Sequence, residues 1–183
     1  YRVTVDNQIP YRLYAGQQDN STISVPSKQI RGITPTQHWH AVGGSECADI
    51  AVDPRNPDIV YATSYSGEIT YVNLKTGQQR QLTAYPHYTE GTRQSDLKYR
   101  WQWNYPILIS KHNPDEIYQA SNYVHRSTNQ GQSWEIISED LTTGKAAKLG
   151  IPGGPVQHDG TGVEIYSTIF ALEESPHEAG VLW

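Results

Sequence analysis

Apolar residues in this chain fall into short runs that are separated by polar turn residues. The clearest runs cover residues 48–52, 67–73, 105–109, 123–127 and 134–137, and Pro, Asn, Asp or Gly residues bound them. Runs of this length between such turn residues are typical of β-strands. No segment has the spacing of a long amphipathic helix, and residues 86–99 read as an irregular insertion. The pattern predicts an all-β fold.

One hairpin-like segment recurs along the chain. Residues 52–62 are matched by 109–119, more loosely by 174–183, and weakly by 11–15. Aromatic residues anchor the copies 47, 57 and 65 residues apart, at Tyr14, Tyr61, Tyr118 and Trp183. Each copy reads as an apolar strand, a Pro/Asn/Asp turn and a second strand. With the strands that follow, this gives four short strands per repeat, the composition of a β-propeller blade.

The repeat predicts about three four-stranded antiparallel blades and the start of a fourth, with approximate bounds of 1–47, 48–104, 105–168 and 169–183. No separate second domain is expected. The chain contains no Met and ends on a strand-like Val181-Leu182-Trp183, which indicates an internal fragment of a larger propeller. Closed propellers have about four to eight blades. We therefore expect the fragment to contact the remainder of its propeller chain or another subunit.

Residues 127–134 have the form Ser-x-Asn-x-Gly-x-x-Trp, carried by Ser127, Asn129, Gly131 and Trp134. In a hairpin connection, Asn129 can bond to backbone amides and Gly131 can take a positive φ. Trp134 is then placed to pack into the blade. The segment resembles the Asp-box, with Asn129 where that motif more often has Asp, and we interpret it as a structural turn.

Further stretches extend this resemblance over nearly the whole chain: residues 11–20, 53–57, 99–107, 138–142 and 161–164. The sequence resembles bacterial BNR/Asp-box repeat propellers of the glycosyl-hydrolase-like or sortilin-like kind. The resemblance implies an extracytoplasmic protein, extracellular or periplasmic, that binds carbohydrate or protein. Two alternative functions stay open. In one, the protein is a glycoside hydrolase, with this segment forming part of its cleft; in the other, it is a sortilin-like propeller that binds peptide in its channel. Shared fold does not transfer chemistry.

Composition and charge exclude several classes of partner. A net charge of −5 provides no cationic surface for nucleic acid or an anionic membrane. No apolar run is long enough to span a bilayer. Cys47 is the only cysteine, so no internal disulfide can form. The spacing of the Cys and His residues, including His38, His40 and His158, predicts no metal site, and no cofactor is expected.

A glycoside hydrolase needs two carboxyl groups at a set separation. Asp159 and Glu164 flank the Thr161-Gly162 turn and form the best candidate catalytic pair, because that turn could bring them to one mouth. Four other acidic residues lie in loop-like, glycine-flanked settings, where propeller function usually resides. They are Asp19, Glu46, Asp49 and Asp96.

Aromatic residues alternate with polar ones in residues 99–105. In a strand, Tyr99, Trp101, Trp103 and Tyr105 would share one face, with Arg100 on the other. This face is either a sugar-stacking platform or core between blades, and packing between blades favours the core. Arg100 could then pair with a carboxylate of a neighbouring blade. The predicted ligand-binding residues are Glu46, Asp49, Arg93, Asp96, Arg100 and Trp101.

Overall fold

The computed structural model describes residues 1–183 and contains three antiparallel sheets of four strands each. The first sheet comprises β1 (Val3–Val5), β2 (Arg12–Gly16), β3 (Thr22–Pro26) and β4 (His40–Ala41). The second comprises β5 (Ile50–Val52), β6 (Ile59–Thr63), β7 (Ile69–Asn73) and β8 (Gln78–Gln81). The third comprises β9 (Ile107–Ile109), β10 (Ile117–Ala120), β11 (Val124–Ser127) and β12 (Glu135–Ile136).

Every strand pairs with its neighbours in sequence, so each sheet is a simple meander. Helical structure is limited to one short α-helix, α1 (Pro35–His38), and three 3₁₀ turns at Tyr65–Gly67, Gln94–Asp96 and Ala146–Lys148. The all-β prediction is confirmed. No helix is long and apolar enough to cross a membrane.

The repeated aromatic anchors occupy the same place in each sheet. Tyr14, Tyr61 and Tyr118 lie on the second strand, and none is more than 2% exposed. A polar side chain lies eight residues before each anchor and accepts a hydrogen bond from the backbone N–H of the residue two positions after it. These side chains are those of Asp6, Asp53, Ser110 and Ser175. Trp183 pairs with Glu173 through both backbone groups, which closes a further hairpin.

The three sheets pack face to face in sequence order. One core lies between the first and second sheets and a larger one between the second and third. Strand β6 contributes to both cores, because successive side chains of a strand point to opposite faces. Val60 and Ala62 pack in the first core and Tyr61 packs in the second. The second sheet is therefore buried on both faces.

The first strands of the three sheets, β1, β5 and β9, are neighbours. Together with Leu172 and Glu173 they line a cavity of about 830 Å³, which we call the axial cavity. The first strands surround one cavity and the sheets are stacked behind them, which is a propeller-like arrangement. The connections divide between two ends, because antiparallel strands reverse direction at each turn. The connections β4–β5, β6–β7 and β8–β9 lie at one end, and the tight turns β5–β6 and β7–β8 lie at the other.

Residues 99–105 form no strand, contrary to the alternation predicted for them. Tyr99, Trp101 and Tyr105 are nevertheless buried in the core between the second and third sheets, as the favoured interpretation required. The irregular path is compatible with this burial because the rings contact one another: Tyr99 packs edge to face against Trp101 and His125, and Trp101 is tilted against Tyr105. Trp103 is not part of this core and is only half-buried.

Side-chain and backbone hydrogen bonds hold the β11–β12 turn together. Ser127 Oγ accepts the backbone N–H of Gly131 at 2.8 Å, and Asn129 Oδ1 accepts the N–H of Ser133 at 2.9 Å. Gly131 has φ of +80°. Trp134 Nε1 donates to the carbonyl of Leu82 at 2.8 Å, which ties the turn to the second sheet. These contacts are structural.

Candidate functional site

A cleft of about 600 Å³ opens at the loop end of the molecule. Four irregular segments build it: the connections β4–β5, β6–β7 and β8–β9, and residues 160–163 after the third sheet. We call it the loop cleft. Its lining residues are Glu46, Tyr65, Ser66, Glu68, His87, Tyr88, Thr89, Glu90, Trp103, Gly160, Thr161 and Val163.

Aromatic rings and hydroxyl groups dominate the wall of the loop cleft. Trp103 is half-buried, and its ring lies 5.2 Å from that of Tyr1. Tyr88 is 75% exposed at the rim. Ser66 and Thr89 hydrogen-bond to each other through their hydroxyls at 2.8 Å, which joins two of the loops.

A close backbone approach fixes two walls of the cleft against each other. Gly162 has φ of +71°, and a Cβ added there would lie 2.5 Å from Thr89 Oγ1 and 2.8 Å from the Glu90 nitrogen. Only glycine fits this conformation and this spacing. The turn at residues 159–164 therefore borders the cleft, and it is held there by its glycine.

The predicted catalytic pair lies at this border, but neither side chain lines the loop cleft. Asp159 Oδ1 accepts hydrogen bonds from the Thr161 hydroxyl at 2.6 Å and the Thr161 amide at 2.9 Å. The hydroxyl bond, with the amide, lowers the pKa of Asp159. Asp159 thus serves as a turn cap. Glu164 is exposed, and its carbonyl accepts a hydrogen bond from Gln94.

The two predicted ligand-binding acids nearest the β4–β5 connection separate into different cavities. Glu46 lines the loop cleft, and its carboxylate also accepts the amide of Asp19. Asp49 lines the axial cavity, where it pairs with Arg2 at 3.3 Å and accepts the Ile107 amide at 3.2 Å. Burial raises the pKa of Asp49, although Arg2 opposes this effect.

Arg100 is 8% exposed and is engaged within the third sheet and its following loop. Its Nη2 donates to Asp140 Oδ2 at 2.7 Å and its Nε donates to the Ser167 carbonyl at 3.1 Å. Burial alone would raise the pKa of Asp140, but hydrogen bonds from Thr142, Asn122 and Arg100 outweigh it and hold that pKa at about 2. Arg100 therefore has a structural partner.

The remaining predicted ligand-binding residues lie outside the loop cleft. Trp101 is 2% exposed in the core, where Gly67 packs against its indole. Arg93 and Asp96 are exposed beside and within the 3₁₀ turn Gln94–Asp96, and Ser95 donates to Asp96. Of the predicted ligand-binding residues, only Glu46 reaches the loop cleft.

The loop cleft also contains residues that the sequence did not single out. Glu68 and Glu90 line it, and each is adjacent to a glycine, Gly67 or Gly91. A loop-like setting near glycine also marks Glu46 as a candidate, so the same signal identifies Glu68 and Glu90. The alternation in residues 99–105 groups Trp103 with its buried neighbours and does not indicate its place in the cleft.

The structure contains no group of three His, Cys, Asp or Glu side chains close enough to hold a metal ion. His38 bonds to the amide of Thr34, in the connection between β3 and β4. No protein family model matches the chain, and no curated protein matches it significantly.

Proposed function

We propose that this chain is a segment of an extracytoplasmic Asp-box β-propeller that binds carbohydrate in the loop cleft. The observation that carries the proposal is the placement of Trp103 among hydroxyl and carboxylate groups in a cleft of about 600 Å³. This volume lies within the range of about 300–1,000 Å³ for sites that hold small ligands. Loops on a rigid sheet scaffold are common places for binding residues.

The sheet arrangement supports the propeller part of the proposal. Meander sheets stack in sequence, their first strands surround the axial cavity, and an Asp-box-like turn joins β11 to β12. Apolar side chains of β1 are open to solvent, with Val3 65% and Val5 54% exposed. Further blades, from the same chain or another subunit, would cover this strand.

Binding is favoured over hydrolysis by the state of the predicted acids. A glycoside hydrolase needs one carboxyl that stays protonated to donate to the leaving group. Asp159 has a lowered pKa and is hydrogen-bonded in its own turn. Asp49 has a raised pKa, but it pairs with Arg2 in the other cavity. Asp159 of the predicted pair therefore lacks the raised pKa that a general acid needs.

The peptide-channel alternative concerns the axial cavity. The acidic groups that line it are already paired, Asp49 with Arg2 and Glu173 with Lys111. A ligand that used these groups would have to break those pairs. The loop cleft has no such internal ion pairs, so it is the better binding site.

Glycan-array screening followed by calorimetry tests the proposal. Trp103→Ala removes the ring from the cleft and should lower affinity at least about fivefold, since stacking on an aromatic side chain contributes about 1 kcal/mol or more. Trp39→Ala is the matched control, because Trp39 is 40% exposed in the β3–β4 connection, away from the cleft. Equal losses in both variants would contradict the proposal, as would the absence of any glycan that binds.

A further inference from the structure

The loop cleft carries negative charge without a compensating cation. Glu46, Glu68 and Glu90 line it, and no Lys or Arg does. None of the three forms an ion pair. The carboxylate of Glu90 accepts the Tyr88 hydroxyl at 2.8 Å, and that of Glu68 has no hydrogen-bond partner in the protein. No cation of the protein therefore neutralises the three carboxylates of this lining.

The other ionisable group in the wall does not offset this charge. Burial lowers the pKa of His87, and the nearby Lys98 lowers it further, so the imidazole is neutral at pH 7. The Lys98 ammonium itself lies over the ring of Tyr85, 4.2 Å from its centroid, and Lys98 is not part of the lining. The cleft thus repels anionic ligands, such as sugars with a carboxylate, and attracts cationic ones.

The carboxylates suit an extended organic cation better than a metal ion. No three His, Cys, Asp or Glu side chains converge closely enough to coordinate a metal. The aromatic faces of Trp103 and Tyr65 lie in the same wall, and rings attract organic ammonium groups as well as sugar faces.

From these features we infer that the ligand of the loop cleft is an amine-bearing carbohydrate, a glycan with free amino groups such as an oligomer of glucosamine. The inference rests on the proposed carbohydrate-binding function and assigns the charge of its ligand. A basic peptide shares the positive charge, but the cleft is built from irregular loops and offers no strand edge for an extended backbone to pair with. Ring faces and hydroxyls favour the sugar.

Calorimetry with three probes of similar size tests the inference: glucosamine trimer, its fully N-acetylated form, and trilysine. We expect the glucosamine trimer to bind at least about tenfold more tightly than the acetylated form in low salt. Screening should shrink this advantage as the ionic strength rises. The double variant Glu68→Gln/Glu90→Gln should remove the advantage. Glu46 is left intact because its carboxylate also holds the amide of Asp19.

The control variant is Asp58→Asn/Glu178→Gln, which removes the same charge in turns away from the cleft and should keep the preference. Circular dichroism verifies that both variants fold. Equal or tighter binding of the acetylated trimer would overturn the charge inference while leaving carbohydrate binding intact. Binding of trilysine alone would overturn the sugar assignment in favour of a peptide ligand. Failure of every probe and every arrayed glycan would overturn the proposed function as well.

Discussion

Gly67 stands where the core between the second and third sheets meets the loop cleft, and its replacement by Ala should destabilise the protein strongly. The residue has φ of +83° and is buried. A Cβ built there would lie 2.4 Å from Trp101 Cε2 and 2.6 Å from Trp101 Nε1. The indole is 2% exposed in close packing, so it has no free space to move into.

The Gly67→Ala substitution lowers the free energy of unfolding in two ways that add. A non-glycine residue in the left-handed region costs about 1–2 kcal/mol. Overpacking a filled core costs about 1–3 kcal/mol more. The sum is about 2–5 kcal/mol in the free energy of unfolding. Urea titration followed by tryptophan fluorescence measures it, and with a slope of about 2 kcal/mol per molar the midpoint should fall by about 1–2.5 M.

Gly77→Ala is the matched control. Gly77 has φ of +72°, but nothing lies within 4 Å of the added Cβ, so only the backbone cost of about 1–2 kcal/mol remains. Equal midpoints for the two variants would refute the reasoning about Trp101. If Gly67→Ala does not fold, the double variant Gly67→Ala/Trp101→Phe provides a second test. The smaller ring leaves room for the added Cβ, so the double variant should fold again, and its failure to fold would contradict the reasoning.

Three further predictions concern the β11–β12 turn and two ionisable groups, Asp140 and the buried His125. Ser127→Ala leaves the Gly131 amide, in a 2%-exposed site, without its acceptor, and chemical denaturation should show a loss of about 1–3 kcal/mol. Asp140 has a folded-state pKa of about 2, below its ordinary value, so its stabilising contribution is present above about pH 4 and is lost as the pH falls towards 2. The wild-type urea midpoint should therefore decline more than that of Asp140→Asn across that interval, and parallel curves would contradict this. Burial lowers the pKa of His125 to about 4, so the unfolded chain takes up a proton first and stability decreases as the pH falls from about 6.5 to 4. His125→Gln should have a shallower slope in that window, and an unchanged slope would contradict the assignment.

The repeat made the sheet content readable from sequence. The aromatic anchors recur at positions that pair in a fixed register, since Tyr61 lies opposite Ala51 and Tyr71, while Tyr118 lies opposite Leu108 and Arg126. Side chains that alternate with period two, together with a turn at one end of the strand pair, fix which residues lie opposite each other. The ends of the observed strands differ by one or two residues from those of the apolar runs in the sequence. Tyr105, the first residue of one such run, instead donates its hydroxyl to the Glu68 carbonyl outside its sheet.

The loop cleft could not be assembled from sequence in the same way. Glu46, Glu68, Glu90 and Trp103 come from three connections of unequal length, and their meeting depends on how the sheets stack. Loop conformation follows no periodicity, so sequence separation carries no distance. Asp159 shows a second limit, since its place beside the Thr161-Gly162 turn does not reveal that Thr161 donates hydrogen bonds to its carboxylate.

The two faces of β6 are not interchangeable, and this gives the stack a direction. The face towards the first sheet presents Val60 and Ala62, whereas the face towards the third presents the large ring of Tyr61. Exchanging the first and third sheets in a permuted gene would place aromatic rings against a shallow surface and leave empty space on the other side. The order of the modules is thus encoded in side-chain volume, and such a shuffled protein should fold poorly even though every hairpin is intact.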